Sequence, residues 1–195
     1  DKYDLKIVAL RGGDQTIVGD LPPRVTVVDL DIRSPLNWYQ LGRLWRELHG
    51  TEILVCSLYH ATILGTVLGR FRRIPTILTW QHNEQFKNPF RRRLFGLTAR
   101  TSDCILADST AVAAMLEQTY GFTDGKVRTV PIAGVDTDEF APSTAGRETI
   151  DETTVGILGR LIEQKNHQAV LRVAECLSDL PIRFEIAGDG PRRAE

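Results

Sequence analysis

Two residues of this chain have the types and spacing to hold a diphosphate. The stretch TVGILGRLIEQKNHQAV, Thr154 to Val170, is an apolar run ending in Gly159, followed by Arg160 and, five positions on, by Lys165. Val170, Val173, Ala174 and Leu177 then recur at the i, i+3, i+4, i+7 spacing of one helix face. The spacing therefore sets two cations between the carboxyl end of a strand and the amino end of a helix. Ligands of open α/β sheets bind in that crevice, and free N–H groups at a helix start favour phosphate. Arginine offers a planar fork and lysine a mobile point charge, which suits two adjacent phosphates. From spacing alone, two solvated side chains on a surface loop remain the competing reading.

His82 is the second candidate. In TILTWQHNEQ it follows an apolar strand and opens a polar loop, where this architecture carries its reactive groups. Imidazole is the usual side chain for proton and hydroxyl contacts near neutral pH. A loop histidine bonded to backbone is the alternative. His60 begins a helix after another strand and is a weaker candidate; His49 and His167 read as surface helix residues. Asp29-Leu30-Asp31 spells D-x-D at a strand end, a spacing that can hold a metal on a sugar diphosphate, but two loop-edge carboxylates are the commoner explanation. GFTDGK at 121–126 is one residue short of a P-loop, with Val127 where the magnesium-binding hydroxyl would stand. No G-x-G-x-x-G opens a helix, which argues against a dinucleotide-dependent dehydrogenase.

The elements that must carry these residues alternate. Strands are expected at 5–10, 25–30, 52–58, 75–80, 104–107 and 127–130, with helices around 41–48, 59–71 and 90–100, and one capped by Asp108 or Ser109. Repeated βα units of this size predict a doubly wound parallel sheet with helices on both faces. Residues 136–152, DTDEFAPSTAGRETIDE, are acidic, rich in small residues and without apolar period, so they read as a linker between an N-terminal domain at 1–135 and a second domain beginning at 153–195. Some 43 residues of open α/β structure cannot close a core alone, and the second domain is expected to be incomplete.

Composition narrows the class. Of 195 residues, 42% are hydrophobic and 25% charged, as in a soluble globular protein, and a net charge of −1 argues against a general nucleic-acid binder. Cys56, Cys104 and Cys176 lack metal-ligand spacing and are expected to be buried reduced thiols, which with no recognisable signal peptide predicts a cytoplasmic protein. Residues 70–100 hold eight Arg or Lys against the single acid Glu84, with Phe90, Leu94, Phe95 and Leu97 interleaved among Arg91, Arg92 and Arg93. Such a helix either lies on an anionic membrane surface or buries its apolar side on the sheet and leaves its charges in water.

GRLIEQKNHQAVLRVAECL followed by IRFEIAGDGPRR resembles the opening of the second domain of family 4 glycosyltransferases, and VRTVPIAGVDTDEFAP, with Gly134 and Asp136, resembles that family's inter-domain signature. The first 130 residues are similar to its N-terminal domain, including the loop histidine of TWQHNE. The resemblance implies a GT-B fold, in which two Rossmann-like domains face each other across a cleft. It implies a retaining transferase that needs no metal or other cofactor. The donor is a nucleotide-diphosphate sugar, held at Gly159, Arg160 and Lys165; the acceptor is a sugar or lipid-linked molecule, with His82 near the reacting sugar. A nucleotide-sugar epimerase of similar fold and a non-catalytic nucleotide-sugar-binding remnant are the alternatives. The signature departs from the family pattern at Ala133, where Asn is usual. The family's first strand with its Gly-rich loop, and its later paired-Glu block, do not occur within 1–195. The piece as given is therefore expected to be inactive.

Overall fold

In the computed structural model, residues 3–12, 21–33, 37–82, 88–123, 125–131, 136–141 and 153–193 are described. The chain divides into two units, Asp1–Gly134 and Val135–Glu195.

The first unit alternates strands and helices: β1 (Lys6–Ala9), β2 (Thr26–Asp29), α1 (Trp38–Glu47), β3 (Ile53–Ser57), α2 (Tyr59–Phe71), β4 (Thr76–Gln81), α3 (Pro89–Arg100), β5 (Cys104–Ala107), α4 (Thr110–Tyr120) and β6 (Val127–Thr129). Every pairing is parallel. The strands form a β1-β2 pair and a β3-β4-β5-β6 sheet. The open sides of β1 and β3 border one cavity of about 590 Å³, whose walls include Val8, Leu10, Ile32 and Leu58. The single continuous sheet expected from the alternation is thus divided at that point.

Helix ends follow their chemistry. Asn37 accepts from Gln40 N–H at 3.2 Å, Asn88 from Phe90 N–H at 2.9 Å, and Ser109, of the two caps considered for α4, from Val112 N–H at 3.3 Å. Pro89 occupies the first turn of α3, where its missing N–H costs nothing. Strict alternation along β4 buries Ile77, Thr79 and Gln81 on one face. Two apolar clusters result. Leu30, Leu44, Leu48, Cys56, Ile74 and Ile77 form one, and Phe95, Ala99, Ile105, Val112, Leu116 and Tyr120 belong to the other. Burial pushes the Cys56 thiol up to about 11, with a hydrogen bond to Thr66 pulling slightly the other way, so it stays protonated and inert. The expectation of three buried thiols holds for Cys56 only. Cys104 is half-buried and Cys176 is exposed, because the helix that carries Cys176 belongs to a unit without a closed core.

At the amino ends of β4 and β5 a charged cluster ties the strands to α2. Arg70 Nη2 donates to Asp103 Oδ1 at 2.7 Å, Ile77 N–H donates to Asp103 Oδ2 at 2.7 Å, and Arg70 Nε donates to the Thr101 carbonyl at 2.6 Å. Burial alone would raise the Asp103 carboxyl. The hydrogen bonds from Arg70 and Ile77 and the charges of Arg70 and Lys126 outweigh it and hold the group below the usual carboxylate range. A depressed folded value stabilises the fold above the unfolded value, about pH 4, and that contribution is lost as pH falls through the folded one. Arg70 and Asp103 are each about four-tenths exposed, so screening keeps the effect modest. Asp103→Asn should lower the urea midpoint at pH 7 and lose less of it than the parent on going to pH 3. Parallel pH profiles for the two proteins would remove the assignment.

The second unit holds β7 (Thr153–Leu158), a single 3-10 turn (Glu163–Lys165), α5 (His167–Cys176) and β8 (Ile182–Ala187). β7 and β8 pair in parallel over six residues, from Thr153↔Ile182 to Leu158↔Ala187. Among its described residues none is buried, and Val155, Val173 and Ile186 are exposed. Residues 142–152 of the expected linker lie outside the described part, as does Gly134.

Candidate functional site

The first unit gathers its reactive groups where β3, β4 and β5 end. Register decides this. Ser57 lies opposite Trp80, and Gln81 opposite Ala107. One step past the ladder, His82 and Asp108 therefore emerge side by side, with Asp108 N–H donating to the Gln81 carbonyl at 3.4 Å. Ser57 Oγ lies 2.9 Å from His82 Nε2, and Asp108 Oδ2 lies 3.5 Å from His82 Nδ1, at the limit of a hydrogen bond. Ser109 Oγ donates to the other Asp108 oxygen, Oδ1, at 3.2 Å while accepting from the first turn of α4. The carboxylate is thus anchored to a helix cap. The indole of Trp80 lies against the imidazole with centroids 5.3 Å apart. The His82 and Asp108 side chains are about one-quarter and one-sixth exposed. A carboxylate can only accept and a serine hydroxyl can either donate or accept, so which ring nitrogen carries the proton sets the roles in this trio.

His82 therefore stands where the sequence placed it, at the end of a strand, and its partners are side chains. Sequence reasoning missed Ser57, and took Asp108 only as a possible cap. Ser57 closes a strand and Asp108 follows one, the signal that singled out His82, but only the register shows that all three meet. His60 is exposed, its ring edge-on to Tyr59 with centroids 5.2 Å apart, and it lines the same cavity as Ser57. The D-x-D carboxylates are engaged locally. Asp29 Oδ1 accepts from Asp31 N–H at 2.9 Å, and Asp31 Oδ2 accepts from Arg33 Nε at 2.8 Å. His167, read as a surface residue, is half-buried, with Nε2 enclosed and unpartnered among the described residues.

The second unit assembles its own constellation. Gly159 follows β7, and the methylenes of the Lys165 side chain lie over it, Cδ being 3.8 Å from where a Gly159 Cβ would stand. Gly159, Arg160 and Lys165 thus share one loop. Arg160 and Lys165 are exposed and form no ion pair among the described residues. The loop is held by its neighbour after β8. Gly159 N–H donates to the Ala187 carbonyl at 3.0 Å, Leu161 N–H to Asp189 at 2.9 Å, and Arg192 N–H to Leu161 at 3.2 Å. Such close approach requires Gly188 and Gly190, whose missing Cβ atoms would lie 1.9 Å from the Gly159 oxygen and 2.4 Å from the Leu161 oxygen. Sequence reasoning used AGDG as a family marker without seeing that role. Asp136 closes a turn, its Oδ1 accepting from Asp138 N–H at 2.9 Å and Glu139 N–H at 3.3 Å.

Among the described residues no three His, Cys, Asp or Glu side chains group as metal ligands, and no helix is long and apolar enough to cross a membrane.

Comparison with known proteins identifies the family and the fold. The profile of Glycosyltransferase Family 4 matches residues 2–139. EpsF of Bacillus subtilis (strain 168), named as a glycosyltransferase, is 31% identical over 141 residues, covering 63% of this chain and 36% of EpsF. Two crystal structures of HepE from Anabaena share the fold, each with a TM-score of 0.65. The structure with UDP is 13% identical, covering 96% of this chain and 62% of HepE; the structure with UDP-glucose is 14% identical, covering 95% and 69%. The chain thus spans about a third of its curated relative and about two thirds of the solved structures. Its fold is α/β with parallel strands, of the GT-B type. By its profile match, the chain belongs to Glycosyltransferase Family 4.

Proposed function

We propose that this chain is part of a retaining, metal-independent glycosyltransferase that moves a sugar from a nucleotide-diphosphate donor to a sugar or lipid-linked acceptor. The observation that carries the reading is the exposed Arg160 and Lys165 pair on the loop between β7 and α5, fixed by main-chain bonds to the loop after β8. Cations held there neutralise the charge that grows on the departing diphosphate. That HepE has been solved with UDP and with UDP-glucose supports a donor of this class. His82 belongs to the acceptor side, in the unit spanning residues 1–135. The open cavity between β1 and β3 supports a further strand for that unit from outside residues 1–195. The absence of a buried residue among those described in the second unit supports the expectation that residues 1–195 alone do not turn over. The exposed Phe90, Arg91, Arg92 and Arg93 at the start of α3 support contact with an anionic membrane, and with it a cytoplasmic position at the inner face.

Calorimetric titration with UDP-glucose tests the donor site. Each hydrogen bond to a charged group is worth roughly 1.5–3 kcal/mol, so Arg160→Ala and Lys165→Ala should each weaken binding by on the order of 10- to 100-fold. Parent-like affinity in both variants would remove the assignment.

A further inference from the structure

We propose that the end of the first unit where α1, α2 and α3 begin is a docking face for an anionic lipid bilayer. It is anchored at two points, by Trp38 and Tyr39 on α1 and by Phe90 with Arg91, Arg92 and Arg93 on α3. This rests on the membrane contact read for α3, and adds to it a second anchor on another helix and an orientation.

Topology brings the two anchors to one end. β3, β4 and β5 pair in parallel, so α2 and α3 each start at the carboxyl end of a strand and run back toward the amino end of the next. The Arg91 guanidinium lies 5.4 Å from the centre of the Tyr59 ring, which ties the start of α3 to the start of α2. α1 starts at the same level, since Gln40 Nε2 donates to the Asp31 carbonyl at 2.6 Å, two residues past β2. At the far end Arg72 lies 4.0 Å from the centre of the Trp45 ring, and Arg70 Nε donates to the Thr101 carbonyl. The three helices therefore run side by side in one direction.

The two ends differ in charge. Trp38 is 81% exposed, and Tyr39 and Phe90 are each 72% exposed, with exposed Leu58 and His60 at the start of α2. Tryptophan and tyrosine settle at the headgroup level of a bilayer, where one side of the ring is apolar and the other wet. Arg91, Arg92 and Arg93 are exposed and form no ion pair among the described residues. The acids described at this end are engaged. Asp29 accepts from Asp31 N–H, Asp31 pairs with Arg33 at 2.8 Å, and Asp108 is one-sixth exposed beside His82. Positive charge is left over, which complements an anionic surface. At the far end Lys6 pairs with Glu47 at 3.2 Å, Arg70 pairs with Asp103 at 2.7 Å and Arg72 covers Trp45, which leaves Arg46 and Arg73 against the exposed Glu52. Ser57, His82 and Asp108 stand at the strand ends where the helices begin, so an acceptor carried in the docked bilayer is supplied to the edge that holds them.

Co-sedimentation of the 195-residue chain with vesicles tests the face. The parent should bind vesicles of equal parts phosphatidylcholine and phosphatidylglycerol, and bind phosphatidylcholine alone far more weakly. Changing Arg91, Arg92 and Arg93 together to Gln should weaken binding on the order of 100-fold, about fivefold for each arginine at the surface. Trp38→Ala with Tyr39→Ala should weaken it on the order of 10-fold. Phe71→Ala should bind like the parent, because Phe71 is 75% exposed but stands at the far end of α2. Brominated phosphatidylcholine in the same vesicles should quench the fluorescence of Trp45→Phe as it does the parent, and that of Trp38→Phe much less. Parent-like binding without Trp38 and Tyr39, an equal loss in Phe71→Ala, or quenching that Trp45→Phe removes and Trp38→Phe leaves intact each overturns the two-anchor face. The arginine variant decides the reading beneath it. Parent-like binding there removes the α3 contact as well, whereas its loss beside an unaffected Trp38 and Tyr39 variant removes the two-anchor face alone.

Discussion

Gly188→Ala should lower affinity for a nucleotide-diphosphate sugar by on the order of 10- to 100-fold, the loss of roughly 1.5–3 kcal/mol when one hydrogen bond to a charged group is misplaced. The position demands space rather than a special dihedral, since Gly188 does not occupy the left-handed region. A methyl group there would stand 1.9 Å from the Gly159 carbonyl oxygen and 2.9 Å from its carbon, and main chain cannot swing aside as a long side chain can. Relief requires the loops after β7 and β8 to part. That strains or breaks the bonds from Gly159 N–H to Ala187 and from Leu161 N–H to Asp189. Each is worth about 1 kcal/mol net, and forced overpacking adds roughly 1–3 kcal/mol. Arg160 lies between those two bonds, so the guanidinium moves with the loop. Calorimetry with UDP-glucose checks the result. Parent-like binding by Gly188→Ala would mean that the loop pair does not position Arg160.

How much could be read beforehand follows from how far apart in sequence each feature is specified. Tyr59–Phe71 and Cys104–Ala107 were legible to the residue, because each is fixed by local apolar period between clear breakers. That Gly159, Arg160 and Lys165 share one loop was legible because seven residues carry them all. His82 was legible as a strand-end residue, but its partners lie 25 residues before and 26 after, and only the strand register brings them together. The Arg70–Asp103 pair spans 33 residues and gives no local sign. The divided sheet escaped prediction for a related reason. Strand composition shows that β1 and β3 are strands, not whether they are neighbours. The small-residue spacing of AGDG was visible, but its purpose depends on carbonyl oxygens about 30 residues upstream.

The two readings of the basic helix differ in which residue carries its stability, and Phe95→Ala should destabilise the first unit by about 3–5 kcal/mol. Phe95 is fully buried, its cluster includes Ile105, Ala107, Val112 and Leu116, and its ring centroid lies 5.5 Å from that of Tyr120. Tyr120 cannot fill the gap without dragging its phenol, which burial pushes up to about 12 against the pull of Arg92 and so keeps neutral. Ala107 belongs to the same cluster and immediately precedes Asp108, so a cavity there also loosens the strand end that orients His82. The expected loss is a large part of the roughly 5–15 kcal/mol that holds a domain together. Leu97, two residues on, is 56% exposed, and Leu97→Ala should change stability by no more than about 0.5 kcal/mol. Urea unfolding followed by tryptophan fluorescence separates the two, since Trp38, Trp45 and Trp80 all lie in this unit. A larger loss for Leu97→Ala than for Phe95→Ala would mean that α3 presents the opposite face to the sheet. The expected order leaves Arg91, Arg92, Arg93, Phe90 and Leu97 on the solvent side, so burial of the apolar stripe and contact with an anionic surface draw on different residues of one helix and do not compete.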